Sequence, residues 1–177
     1  MSTLLLLLEE HMELLRIYRM KDQYIRYLKR HDDRVQNNKN KRRPYVGIVL
    51  KVGSYQYFVP LESPKPNHAG IKAGKHILKI DGGKLGIMGF NNMIPAHFSA
   101  IEVIDINAEP DVKYAELLRR QASFINRHKA DIFSKASGTY YDVTTGKNKF
   151  LMKISCDFKI LEKACDHYDP LFNRKKS

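Results

Sequence analysis

An α+β fold is expected from three features of the chain. Short β-rich runs follow one another between residues 45 and 104. Helical patterns stand before and after them, at 22–30 and beyond 111. The stretch Tyr45–His68, YVGIVLKVGSYQYFVPLESPKPNH, contains an antiparallel hairpin signal: alternating residues, a Gly53-Ser54 link, then a second run from Tyr55 to Leu61. Gly supplies the positive φ that such a tight turn needs. Strands in series with helices outside them point to a segregated α+β layout rather than to parallel βαβ units.

Taken in order, residues 1–11 differ from the rest of the chain. They read either as a short N-terminal helix or as upstream DNA translated in frame ahead of a start at Met12, leaving one domain over 12–177. The run Leu4–Leu8 lacks a basic region before it, is short, and is followed by Glu9-Glu10 in place of a small-residue cleavage site. It is therefore not read as a signal peptide and is too short to span a membrane.

Leu14, Leu15, Ile17 and Tyr18 suggest a strand. From Asp22, a candidate cap, Tyr24, Ile25 and Leu28 share a helical face. Residues 34–43 form a polar, basic loop. After the hairpin, His76–Ile80 suggests a strand closed by Asp81-Gly82-Gly83, with Leu85–Met88 returning. Ile101, Val103 and Ile104 mark another. Asp111–Lys135 is the longest helical pattern, with Ala115, Leu118, Ala122, Ile125 and Ile132 on one stripe. Gly138–Lys149 is expected to be a loop, and Asp157–His167 a final helix before a charged tail at Arg174-Lys175-Lys176.

The net charge is +12, from 31 Lys and Arg against 19 Asp and Glu. A polyanionic partner, with nucleic acid the commonest, accounts for such a bias. The basic residues are spread along the chain rather than confined to one amphipathic helix, which disfavours a membrane surface. The two cysteines, Cys156 and Cys165, are too few for a disulfide framework and fit a reducing compartment, so the cytoplasm is the expected location.

HExxH, CxxC, P-loop, GxGxxG and GxSxG motifs are all absent. The seven histidines are scattered and the carboxylates do not cluster as a two-metal nuclease requires, so no metal and no cofactor are expected. RNA cleavage without metal needs less, because the 2′-hydroxyl is the nucleophile. The protein must help remove its proton, stabilise the phosphorane and protonate the leaving 5′-oxygen. Glu62, Ser63, Lys65 and His68 offer these chemistries within seven positions. In an antiparallel hairpin the start of the first strand lies beside the end of the second. Arg43 should thus approach Ser63 and Lys65, with Lys41 and Arg42 just before it. Taken alone, Ser-Pro-Lys-Pro is ordinary loop composition and His68 reads as a surface histidine. Tyr24, Tyr27 and Tyr45 could stack on bases, but read first as packing residues.

The order of these features resembles the ToxN/AbiQ endoribonuclease toxins of type III toxin–antitoxin and phage-abortive-infection systems. The resemblance rests on Tyr24-Ile25-Arg26-Tyr27-Leu28 with Asp32-Asp33, Tyr45-Val46-Gly47-Ile48-Val49-Leu50, and Pro60-Leu61-Glu62-Ser63-Pro64-Lys65 with His68. It continues through Met93-Ile94-Pro95, the run Ile101–Ile106, Lys113-Tyr114 and Cys156-Asp157-Phe158, and covers about Leu14–Tyr168. It implies a compact, strongly twisted antiparallel sheet flanked by helices, similar to the MazF/Kid toxins.

It also implies metal-independent cleavage of A-rich mRNA to a 2′,3′-cyclic phosphate, causing growth arrest or phage abortive infection. The implied inhibitor is a small structured RNA made from tandem repeats, alternating with toxin in a closed ring, with no protein antitoxin. Ser63 and Lys65 match the family's active-site serine and lysine, and Arg43 falls where a family lysine precedes the strand. Arg43 keeps the cation but stays protonated. Glu62 stands where Thr or Ser is expected. Lys65 is the candidate proton donor, with Glu62 and His68 as acid–base partners. Candidate RNA contacts are Lys21, Arg26, Lys29 and Arg30 of the first helix, Lys41 and Arg42, and Lys113, Arg119, Arg120 and Arg127 of the long one. The rival readings are an RNA-binding protein without chemistry and a MazF-like toxin with a protein antitoxin.

Overall fold

Aromatic and β-branched residues crowd the hairpin, and its two strands are the centre of the sheet. β2 (Pro44–Val52) and β3 (Tyr55–Glu62) pair antiparallel around Gly53, at φ 57°. The computed structural model describes residues 14–174; the expected N-terminal extension at 1–11 and the tail residues 175–177 lie outside them. β1 (Arg16–Met20) lies on the free side of β2 and β7 (Ile101–Val103) beyond it. β5 (Ile87–Gly89) flanks β3, followed by β4 (Ile77–Lys79), while the short β6 (Ile94–Pro95) also pairs with β3. The order is β4-β5-β3-β2-β1-β7, and every pairing is antiparallel.

The β2–β3 register runs Tyr45↔Pro60 to Gly47↔Phe58, then resumes at Leu50↔Tyr57. Ile48 and Val49 are thus extra residues on β2, an irregularity that bends a strand and sharpens its twist. Val46, Val49, Tyr57, Phe58, Val59 and Leu61 are all buried, so the hairpin's middle is covered on both faces.

Helices close over the sheet. α1 (Asp22–Lys29) buries Tyr24, Ile25, Tyr27 and Leu28. Tyr24 donates its hydroxyl to Pro95 O at 2.7 Å and Tyr27 to Ala164 O at 2.7 Å. With Tyr45 also buried, these three rings pack the interior and are closed to bases. Asp22 does not cap α1. Lys21 holds the cap position without a side-chain bond, and Asp22, one residue inside the helix, pairs with Arg26 at 2.9 Å.

Two expectations are corrected. The pattern over 111–135 is two helices, α2 (Val112–Arg127) and α3 (Lys129–Thr144), broken at His128 with φ −118° and ψ 25°. α3 also runs through Gly138, so the first half of the expected 138–149 loop is helical. Buried Ala136, Thr139 and Asp142 recur at helical spacing, and that packing overrides the cost of one glycine. α4 (Lys149–Ile154), α5 (Phe158–Asp166) and α6 (Pro170–Arg174) complete the chain.

α5 begins where expected, capped by Asp157 accepting from the Ile160 N–H. Its Glu162 is buried, accepting from the hydroxyls of Tyr57 at 2.8 Å and Tyr140 at 2.6 Å and pairing with Lys159 at 3.2 Å. This carboxylate ties the sheet, α3 and α5 together. Glu162→Ala strands two tyrosine hydroxyls, and we expect a loss of about 3 kcal/mol of stability in urea unfolding.

Candidate active site

β3 ends at Glu62, and the two prolines that follow direct the chain into a short 3₁₀ turn, Pro66–Gly70. This turn brings His68 back beneath Glu62. One oxygen of Glu62, Oε2, meets Lys65 Nζ at 3.4 Å and His68 Nε2 at 3.3 Å. The Lys65 backbone N–H points at His68 Nδ1 at 3.3 Å. With Nδ1 accepting, the proton sits on Nε2 and faces the carboxylate. His68 is 1 % exposed. The surface histidine expected from sequence is instead a buried group that orients Glu62. Ser63 and Lys65 are exposed.

Two glycines set this turn against the β4–β5 hairpin. Gly86, at φ 111°, lies so close that an added Cβ would be 2.0 Å from Glu62 O and 3.6 Å from Pro64 N. Gly83, at φ 95°, lies beneath His68 with less crowding, where a Cβ would stand 3.0 Å from its carbonyl carbon.

From the other side comes the basic loop between α1 and β2. Extending the Tyr45↔Pro60 register brings Arg43 beside Glu62. Arg43 is only 6 % exposed, its Nε donates to Asn37 O at 2.8 Å, and its buried Nη1 has no hydrogen-bond partner. Lys39, the first residue of the basic run Lys39–Arg43, lies within electrostatic reach of Arg43, Lys65 and Glu62. Lys39 is exposed, yet partial desolvation of its ammonium first, then the charges of Arg43 and Lys65, push it below the ordinary lysine pKa, while Glu62 acts the other way.

The base of the loop is fixed by Asp32. Its Oδ1 accepts from the Arg34 N–H at 3.0 Å and from Arg34 Nε at 2.9 Å, and Oδ2 accepts from the Asp157 N–H at 2.6 Å. Burial alone would raise the Asp32 pKa, but these hydrogen bonds outweigh it and hold the carboxyl below its usual range.

The expected RNA contacts separate. Arg119, Arg120 and Arg127 line one groove of about 440 Å³ with His128, Asp81 and Leu85. This groove adjoins the site through the Ile80–Gly86 turn: Gly83 abuts His68, and Gln121 of α2 donates to Leu85 O at 2.8 Å. Lys113 is exposed at the start of α2, and Lys21, Arg26, Arg30, Lys41 and Arg42 are exposed around α1 and its loop. Lys29 is committed elsewhere, since its ammonium donates to Val35 O at 2.7 Å and Asp33 O at 3.3 Å. It braces the loop. Among the described residues, no three His, Cys, Asp or Glu side chains cluster as metal ligands, and no helix is long and apolar enough to cross a membrane.

The family described as "Toxin ToxN, type III toxin-antitoxin system" matches residues 16–166. The chain belongs to the ToxN toxin family. Curated relatives include the endoribonuclease ToxN of Bacillus thuringiensis subsp. kurstaki, 33 % identical over 155 residues, covering 82 % of this chain and 80 % of that one. The endoribonuclease AbiQ of Lactococcus lactis subsp. lactis is 28 % identical over 165 residues, covering 87 % and 89 %. Among solved structures, a type III toxin selectively inhibited by a non-coding RNA pseudoknot superposes with a TM-score of 0.79 at 30 % identity, covering 88 % of this chain and 98 % of that one. The lactococcal anti-phage endoribonuclease AbiQ has a TM-score of 0.79 at 25 % identity, covering 92 % and 99 %. The α+β fold expected from sequence is thus that of the ToxN family.

Proposed function

We propose that this chain is an endoribonuclease toxin of a type III system. In this reading it cuts A-rich mRNA without a metal, leaves a 2′,3′-cyclic phosphate, and is held silent by a repeat-derived structured RNA in a closed ring. The observation that carries the reading is the single Glu62 oxygen shared by Lys65 and buried His68, beside the buried, unpartnered Arg43 Nη1. A buried donor without a partner suits an anion that arrives with the substrate.

Roles follow from position. Glu62 accepts the 2′-hydroxyl proton, and His68 positions it. Lys65 and Arg43 stabilise charge on the phosphorane, and Ser63 hydrogen-bonds the phosphate. The three-arginine groove beside the Ile80–Gly86 turn extends the RNA surface, for substrate and inhibitor alike. The charge bias supports this shared use.

The test is cleavage of a defined A-rich RNA by purified protein in EDTA, with chemical mapping of the new ends. Expected are 2′,3′-cyclic phosphate and 5′-hydroxyl termini, growth arrest on expression, and suppression of both by a transcript of the adjoining repeats. Folded protein that leaves RNA and growth intact sinks the reading.

A further inference from the structure

We propose that Gln121 is a positioning residue for RNA cleavage, setting Glu62 and His68 through the Ile80–Gly86 turn. The assignment rests on the endoribonuclease reading above. Gln121 stands in the buried stripe of α2, with Ala115, Leu118 and Ile125. It is 2 % exposed, and among the described residues its buried Oε1 has no hydrogen-bond partner. An unsatisfied buried acceptor costs stability, and an apolar side chain would fill the position without that cost. What the amide provides instead is one bond across the fold: its Nε2 donates to Leu85 O at 2.8 Å.

Leu85 belongs to a turn with little stiffness of its own. Asp81, Gly82, Gly83 and Gly86 all have positive φ, and glycine gives up much backbone freedom when it is fixed. The Ile80 N–H donates to Gly86 O at 2.9 Å and the Leu85 N–H to Ile80 O at 3.1 Å, which closes the turn into one piece. Its other side bears on the site. Gly86 abuts Glu62 O, Gly83 abuts the His68 carbonyl, and Ile87 pairs with Glu62 in the sheet. A shift at Leu85 is therefore passed to both residues.

Replacing Gln121 by leucine separates the fold from the catalysis. The stranded Oε1 disappears, which stabilises, while Leu85 O loses its donor, which destabilises. These two effects offset in a thermal melt. They do not offset in the site. Leu85 also lines the three-arginine groove, so its released carbonyl turns there towards water and takes the turn with it. A misplacement of about 1 Å is enough to cost up to about 100-fold in rate.

The test measures kcat, KM and thermal melts on one A-rich RNA for wild type, Gln121→Leu, Gln121→Glu, Gly86→Ala, and Gln121→Leu combined with Gly86→Ala. Gln121→Glu keeps the shape and sets an oxygen against Leu85 O in place of the donor, so it serves where leucine disturbs the packing. Expected for each single Gln121 variant is a kcat lower by roughly 30-fold with KM within about threefold. The Gln121→Leu melt stays within about 3 °C of wild type. Because both substitutions act through one turn, the double variant loses no more than about threefold beyond Gly86→Ala alone. A wild-type kcat in Gln121→Leu, or losses that multiply in the double variant, overturns the role. So does a fold that is lost, or melts more than about 10 °C lower, in both Gln121 variants, because Gln121 is then structural. Wild-type protein that leaves the RNA intact overturns the endoribonuclease reading, and this role with it. Wild-type cleavage with an unaffected Gln121→Leu overturns this role alone.

Discussion

Lys65→Ala lowers single-turnover RNA cleavage by about 10³-fold while leaving the fold in place. The two halves of this expectation have different origins. In the resting protein Lys65 forms a half-exposed pair with Glu62 at 3.4 Å, and exposed pairs contribute roughly 0–1 kcal/mol to stability. In the mechanism proposed above the same ammonium faces a phosphorane whose charge is growing, and a preorganised charge there acts on the barrier directly. Urea unfolding should therefore barely move while the rate collapses. Lys65→Arg should recover part of the loss, since it restores the charge with a different shape. A Lys65→Ala protein that folds normally and cuts within threefold of wild type is incompatible with the site described above.

The second large effect falls on a residue without a side chain. Gly86→Ala places a methyl 2.0 Å from Glu62 O at a backbone φ of 111°. Something must shift, and both neighbours are backbone of the site turn. The expected cost is about 3 kcal/mol, combining overpacking with left-handed strain. Displacing Glu62 by even about 1 Å should cost a further 100-fold in cleavage, because the reacting groups lose alignment. Gly82→Ala is the control. Its φ is 63° and the space around it is open, so it bears backbone strain alone, and its cleavage rate should match wild type. Equal rates for both alanine variants would show that the β4–β5 hairpin does not set the site.

What the sequence made legible was local. The alternation around Gly53 specified the hairpin, the three- and four-residue spacing of Tyr24, Ile25 and Leu28 specified α1, and Asp157 marked the start of α5. The helix break at His128 and the continuation through Gly138 were hidden, because both depend on what α3 packs against rather than on its own residues. β6 is two residues long, too short for any periodicity. In the site, Glu62 and Lys65 were visible as chemistry on a strand end. The burial of His68 was not, since it depends on Gly83 lying beneath it, fifteen positions later in the chain. Lys39 was the least visible. It was legible only as the first residue of the basic run Lys39–Arg43, which reads as a solvated or phosphate-touching loop.

The hydrogen bond from the Asp157 N–H to Asp32 has a consequence in time. It joins the base of the Lys39–Arg43 loop to a residue made 125 positions later, and Arg34 reinforces it by donating to Met152 O. At ordinary translation speeds of about 5–20 residues per second, the ribosome works for several seconds between the two. Throughout that interval the loop lacks its anchor, so a nascent chain holds the parts of the site without their arrangement. A chain cut short before Asp157 is left without this anchor for the loop.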